Sequence, residues 1–320
     1  DGVLSSMSQL VSPYGNPSIG WEKTYQWNYG VDLGLFNNRI NLSVDFYDLK
    51  TKDLLFSRTL PITSAITAWG SPMTTWQNIG ETSNKGYEIQ LSTVNIRNKN
   101  FEWSSSISYT HNDEKIVSLP DGDLIAKKLF EGHPIKTFYD YKYVGIWGTA
   151  EEEEAAKYGC QPGYVKIETV EQFTTDENGN LVGDGGVHTY SNTRDLQILG
   201  SNVPDGILGV NNTFKYRNFD LSAFVMLRYG QMIDSKTIGW YSTKNNNQPK
   251  GTDYWTPENQ TAYFPRPGIA STTGIESLRY IDGSYAKIKN ITLGYTFPNK
   301  LCKRLGICLL YTSPSPRDIS

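Results

Sequence analysis

The side chains best suited to chemistry are few in this chain, and they are scattered. Its three histidines, His111, His133 and His188, fall in three different segments, with no His-Glu-x-x-His or other metal-ligand spacing. Each reads as a solvated loop or strand-end residue. Cys160, Cys302 and Cys308 are an odd number without metal-ligand spacing, so they define no disulfide framework, although one pair could form in an oxidising compartment. The one metal-like stretch is TDENGNLVGDGG, where Asp176, Asn178 and Asn180 have the alternate spacing of a calcium loop. Leu181 stands where such a loop needs glycine and no bidentate glutamate follows, so a turn-rich loop is the expected reading. TAEEEEAAKYG reads as a short helix, with Thr149 and Glu152 as a capping box, acids at the positive end of the dipole and Gly159 as the C-terminal cap. No nucleophile, base and orienting group come together, so no catalysis and no cofactor are expected.

Aromatic residues are the compositional anomaly: 13% of the chain, with 21 Tyr and 8 Trp. Trp69, Trp76, Trp240, Tyr241, Tyr254 and Trp255 lie outside the clear strands. A Trp on a solvated loop can stack on the apolar C–H face of a sugar ring while the sugar hydroxyls stay hydrated. The same residues also suit packing of loops against one another or against a partner protein. Both readings stand on the sequence.

The elements that would position them are β-hairpins. In VDLGLFNNRINLSVDF, Val31, Leu33 and Leu35 alternate with Asp32 and Gly34; after Asn37-Asn38, Ile40, Leu42, Val44 and Phe46 alternate with Asn41, Ser43 and Asp45. Period two on both sides of Asn-Asn predicts a hairpin with one apolar and one polar face. A second hairpin joins Tyr87, Ile89 and Leu91 to Phe101, Trp103, Ile107 and Tyr109 through residues 97–100. A third joins Leu208, Val210 and Phe214 to Phe219, Leu221, Val225 and Tyr229 through Arg217-Asn218, and Ile291, Leu293, Tyr295 and Phe297 give a last strand.

The turns within hairpins are tiny, whereas the connections between them, 51–83, 112–205 and 231–283, are long. All short turns then fall at one end of the sheet, as in an outer-membrane barrel with short periplasmic turns and long extracellular loops. Phe101, Tyr216 and Phe219 sit beside the short turns; Tyr87, Tyr109 and Tyr229 sit at the opposite strand ends. At ~3.3 Å per residue and a tilt near 40°, the ten steps from Phe219 to Tyr229 rise about 25 Å, the height of a lipid-facing band between aromatic girdles. On this reading Leu33, Leu35, Leu42 and Val44 face lipid. Asp32, Asn41, Asp45, Glu88, Lys215 and Arg228 face the lumen, and Asn41, Asn211 and Asn290 are strand residues despite their Asn-x-Ser/Thr pattern. The rival is a soluble β-sandwich carbohydrate-binding module, which would bury the same apolar face. A third class, a barrel enzyme, would need a clustered Ser/His/acid set that is absent here.

Composition agrees with these limits. The chain has 320 residues, 38% of them hydrophobic, and a net charge of −3, which gives no electrostatic footprint for nucleic acid. No apolar run reaches the 18 residues of a transmembrane helix, and a mean hydropathy of −0.47 is compatible with a barrel because half of each strand is polar. The sequence begins at Asp1 without a leader-like segment, as expected of a processed precursor or an internal fragment.

Four segments, NIGETSNKGYEIQL (78–91), GTAEEEEAAKYGCQPG (148–163), YWTPENQTAYFPRP (254–267) and YIDGSYAKIKNITLGYTFP (280–298), with LGSNVPDGILGVNNTFKYRNFDLSAFVMLRYG (199–230), resemble the C-terminal half of the SusC/RagA family of TonB-dependent outer-membrane transporters. The likeness runs from about Asn16 to Gly306. It implies an antiparallel transmembrane β-barrel of 22 strands, of which this chain is an open part with long extracellular loops. It also implies a plug domain and TonB box N-terminal to Asp1, further strands after Gly306, a SusD-type surface lipoprotein as lid, and energy from the TonB complex. The expected function is import of an oligosaccharide, or sometimes a peptide, across the outer membrane of a Gram-negative cell. Relatives often carry a calcium-like loop near 175–186. Residues 1–308 are thus expected to form part of the barrel. Residues 309–320, LLYTSPSPRDIS, lack alternation and carry Pro314 and Pro316 where a ladder needs N–H donors; they are expected to be foreign to the fold.

Overall fold

A computed structural model describes residues 15–60, 67–68, 71–72, 74–177, 179–238, 250–268, 273–298 and 304. β1 (Lys23–Leu35) and β2 (Ile40–Thr59) form the first hairpin, a short ladder pairs β3 (Thr67–Ala68) with β4 (Ser71–Pro72), and β5 (Thr74–Arg97) and β6 (Phe101–Ser118) form the second hairpin. An excursion follows, with β7 (Thr137–Ile146), helix α1 (Glu152–Lys157), β8 (Val165–Glu168), β9 (Phe173–Thr175), β10 (Leu181–Gly183) and β11 (Leu196–Ser201). The third hairpin is β12 (Gly206–Tyr216) and β13 (Phe219–Tyr229), and β14 (Met232–Asp234), β15 (Tyr280–Asp282) and β16 (Tyr285–Tyr295) complete the chain. The tail 309–320 lies outside the described residues.

One antiparallel seven-stranded sheet runs in the order β1-β2-β5-β6-β12-β13-β16. Each strand pairs with its neighbours in sequence along the wall, so the three short turns fall at one end and the long connections at the other. The turn ends are tied to one another: Val94 N–H donates to Arg39 O at 2.7 Å, Arg217 N–H to Asn100 O at 2.9 Å and Thr296 N–H to Asn218 O at 2.7 Å. Local chemistry sets these turns. Asn37 and Asn38 take positive φ (55° and 62°), a region asparagine enters more readily than most residues. Asn98 Oδ1 accepts from the backbone N–H groups of Asn100 (3.2 Å) and Phe101 (2.9 Å), an Asx turn. The first turn spans 36–39, wider than the Asn37-Asn38 pair expected, because Phe36 also enters the left-handed region (φ 55°).

The register aligns the apolar positions into rows. Val31, Val44, Ile89, Tyr109, Leu208, Leu227 and Ala286 stand level across all seven strands, and Leu33, Leu42, Leu91, Ile107, Val210, Val225 and Ile288 form the next row toward the short turns. In β16 the apolar spacing slips to three between Ile288 and Ile291, and a bulge opposite Phe224/Val225 absorbs the extra residue so that both stay on the apolar face. Phe101, Tyr216, Phe219 and Tyr295 close this face at the turn end. Tyr29, Phe46 and Tyr87 close it at the other. The opposite face at the same height carries Asp32, Ser43, Gln90, Ser108 and Gly209. On that face the Tyr47 ring lies over Gly86 of β5, where a Cβ would collide with it, and Tyr47 Oη reaches across β5 to donate to Asn112 Oδ1 of β6 at 2.6 Å.

Apolar residues of the outer rows, such as Val31, Leu33, Ile288 and Leu293, are exposed, and no second sheet covers them among the described residues. A sandwich would bury this face as its core, whereas here it is exposed. It fits a wall that lipid covers, with β1 and β16 as open edges, so the barrel is not closed within this chain.

The connection 51–83 departs from the long loop expected. β2 runs on to Thr59 and β5 starts at Thr74, paired by bulged registers as far as Thr59 with Thr74. Their 20 and 24 residues reach ~65–80 Å, far beyond a ~25 Å lipid band. Above the band no apolar face is required, so alternation lapses while the backbone groups still satisfy one another. Cross-strand ion pairs take its place: Lys85–Asp48 at 2.8 Å, Lys23–Asp53 at 2.9 Å and Lys52–Glu81 at 3.7 Å.

Candidate functional site

The buried core lies in the excursions beyond the long-connection end, not in the wall. Trp147, Ala155, Cys160, Tyr164, Val165, Ile167, Ile275 and Leu278 form one cluster, with Tyr158, Tyr190 and Phe264 packed against it. β7 pairs with β8 and β11 to make a three-stranded sheet beneath it. Helix α1 supplies Ala155, and its C-terminus closes as a Schellman turn: Cys160 N–H donates to Ala155 O (2.9 Å), Gly159 N–H to Ala156 O (3.1 Å), and Gly159 takes φ 71°. The N-terminal cap differs from the sequence expectation. Glu151, not Glu152, reaches back, and it accepts from Gly148 N–H at 3.0 Å, not from Thr149, because a turn of 3-10 helix over Thr149–Glu151 precedes α1 and shifts the cap by one residue.

Polar groups in this module are matched. Tyr190 Oη accepts from Trp147 Nε1 at 3.0 Å and from Ile167 N–H at 3.2 Å, and burial raises its pKa far above a free phenol. Burial likewise raises the Cys160 thiol, which makes it a packing residue and not a nucleophile. The Gly148 N–H, then Lys166 at 2.8 Å, hold the Glu151 carboxyl below its ordinary range, and the Lys166 ammonium also sits 4.1 Å over the Trp147 ring.

The six aromatics proposed for ligand capture separate on inspection. Trp69, Trp240 and Tyr241 lie outside the described residues. Trp76 belongs to β5, opposite Ser57, so it is a strand residue and not a loop residue; its ring is 44% exposed. Tyr254 is exposed to the same extent, beside a bridge to Phe264. Trp255 is 1% exposed, so it presents no face for stacking. Its ring rests on Gly163, where a Cβ would come within 2.8 Å of Cε3, and its buried indole N–H has no hydrogen-bond partner among the described residues. This corrects the loop reading of Trp255: a ring next to exposed Tyr254 in sequence is part of the interior in space. No ring contact or hydrogen bond joins Trp76 to Tyr254 among the described residues.

Asp176 and Asn180 close the β9–β10 hairpin. Asp176 Oδ1 accepts Asn180 N–H at 2.8 Å and its Oδ2 accepts Asn180 Nδ2 at 3.2 Å, the bonding of a turn; Asn178 lies outside the described residues. On the polar face of the wall, Asp45 stands opposite Glu88 and two positions from Asp32, with Ser43 Oγ donating to Asp32 at 2.6 Å. Arg228 Nη2 donates to Asn202 O at 3.3 Å.

Two features were not foreseen. Tyr25 and Trp27 extend the upper aromatic girdle along β1; their alternation in KTYQWNYGV was the available signal. His188, expected as a solvated residue, is instead held between Asp184 and Asp195. The spacing of these three matches no motif, so nothing in the sequence flagged them.

Residues 3–305 match the protein family described as "TonB dependent receptor-like, beta-barrel". TonB-dependent receptor P3 of Formosa agariphila is 32% identical over 314 residues, covering 93% of this chain and 29% of that protein. TonB-dependent receptor SusC of Bacteroides thetaiotaomicron is 29% identical over 295 residues, covering 89% of this chain and 27% of that protein. Among solved structures, the RagAB peptide transporter superposes with a TM-score of 0.68 at 24% identity, over 91% of this chain and 31% of that chain, a likeness of fold. The chain therefore spans under a third of the length of these relatives.

Proposed function

The chain belongs to the TonB-dependent receptor-like β-barrel family, and on that premise we propose that it is a sector of an outer-membrane transporter wall that imports oligosaccharides. Binding and gated passage make up the mechanism, with no covalent chemistry. The observation that carries the reading is the pair of apolar rows across seven strands, bounded by aromatic girdles and backed by a polar face. Such a face requires lipid outside and a hydrated or protein-filled lumen inside. The module above the long-connection end then stands where cargo arrives. A SusD-like surface lipoprotein would complete the capture site, and the TonB complex would supply energy through parts of the protein beyond this chain.

Oligosaccharide is favoured over peptide by aromatic residues on the extracellular side. Of the six candidate aromatics, Trp76 and Tyr254 are exposed among the described residues, and Trp69, Trp240 and Tyr241 stand with them as candidates. Trp76→Ala and Trp240→Ala in the complete transporter should each weaken oligosaccharide binding about tenfold in titration calorimetry, since a stacked aromatic contributes about 1–1.5 kcal/mol. Unchanged oligosaccharide affinity in both variants would remove the stacking role. Binding of peptide mixtures alone would overturn the cargo assignment and leave the transporter reading standing.

A further inference from the structure

His188 Nδ1 lies 2.7 Å from Asp184 Oδ2, and its Nε2 lies 2.9 Å from Asp195 Oδ1. A neutral imidazole has one N–H and one bare lone pair, whereas an ionised carboxylate only accepts. Both carboxylates find a donor only when the ring is an imidazolium. We propose that His188 is a charged clasp that fastens the 172–186 hairpin to the segment 191–196 that re-enters the extracellular sheet, and that loss of its proton opens the clasp on the Asp184 side.

The two ends of the clasp are unequal. Asp195 is fully buried and also accepts Ser191 N–H (2.7 Å) and Val170 N–H (3.1 Å). Asp184 accepts Gln172 N–H (2.9 Å) and Gly186 N–H (2.8 Å) at the base of the hairpin, and its side chain is 29% exposed. A neutral ring keeps its one N–H toward buried Asp195, where an unmet carboxylate costs most. Asp184 then faces a lone pair and turns to water. The hairpin it releases carries exposed Phe173, Leu181 and Val182, so the clasp governs how an apolar finger is presented.

Other charged or titratable groups leave this assignment intact. On β7 the Tyr141 phenol senses Asp195, but burial is the main cause of its raised pKa. Lys142 and Glu168 pair with each other across β7 and β8 at 2.7 Å. Glu171 lies over Gly183 on the hairpin, Arg194 forms no ion pair among the described residues, and Tyr190 is engaged by Trp147 and Ile167. Burial alone would lower the His188 pKa, yet the bonds to Asp195 and Asp184 outweigh it and raise it above its ordinary value. Asp184 is held low, chiefly by Gln172 N–H. The clasp is therefore fully closed below the ordinary histidine pKa and opens as pH rises through the raised one. Acid opens it only when pH falls through the lowered pKa of Asp184.

The test uses the complete transporter in detergent with 15N-labelled histidine, His188 being assigned by the signal lost in His188→Gln. Both ring nitrogens should show imidazolium shifts at pH 7, and proteolysis within 172–187 should accelerate about tenfold for each pKa unit by which the clasp raises His188. Asp184→Asn should move the His188 titration downward and flatten the proteolysis profile. A neutral ring at pH 7, proteolysis independent of pH, or a profile unaltered in Asp184→Asn would overturn the clasp.

Discussion

Asn212 shows how much one side chain can depend on its row. It stands on the apolar face, level with Ala223 and Ser105, where the sequence alternation predicts a lipid-facing residue. Its Oδ1 accepts from Ser105 Oγ (2.6 Å) and Trp103 Nε1 (3.1 Å), and Asn95 Nδ2 donates in turn to Ser105 Oγ (2.7 Å). Indole N–H only donates, which fixes Oδ1 toward it. In a medium without water these donors have no alternative partner. Asn212→Leu should cost about 1–3 kcal/mol in urea unfolding of the folded barrel, the cost of donors left unmet. Adding Ser105→Ala should recover part of that loss, and a double variant no better than the single would refute the shared-acceptor account. Residue identity was legible here but residue role was not, because a polar residue in an apolar row is explained only by partners on other strands. Trp255 failed for the same reason: its burial depends on Gly163, more than ninety positions away in sequence.

At the scale of elements, the hairpins were legible because lipid imposes a strict period of two and the turns are short. The third hairpin, Gly206–Tyr216 with Phe219–Tyr229, coincides with its sequence pattern. The upper halves of β2 and β5 were hidden because nothing outside lipid enforces alternation. The two faces of one strand should therefore respond oppositely to charge. Leu91 is in an apolar row beside Leu42 and Ile107, and Gln90 is on the polar face beside Ser43 and Ser108. Leu91→Arg should destabilise the barrel by about 2–4 kcal/mol, the penalty of a cation near the bilayer midplane, whereas Gln90→Arg should stay within about 1 kcal/mol. Equal losses in urea titrations of the two variants would mean that the faces are wrongly assigned.

Across the whole molecule, the wall and the extracellular module are held together by different physics. The wall relies on a continuous hydrogen-bond ladder and on lipid over its apolar rows. The module has a closed core around Trp147, Val165, Ile275 and Leu278, of the kind found in a small water-soluble domain. Its loss should therefore leave the ladder standing. Trp255 is the point at which to separate the two, since it is buried, distant in sequence from every strand of the second hairpin, and seated on Gly163 within the module. Trp255→Ala removes a large buried ring and should cost about 3–5 kcal/mol locally. That is a large fraction of the roughly 5–15 kcal/mol that stabilises a domain, enough to loosen the module locally. Protease should then cut within 147–167 and 253–266 at a much higher rate, while the heat-modifiable gel shift of the folded barrel in detergent stays at its original temperature. A fall in that temperature alongside the new cleavage would show that wall and module unfold as one unit, and unchanged protection of both segments would show that the Trp255 ring is dispensable to the core.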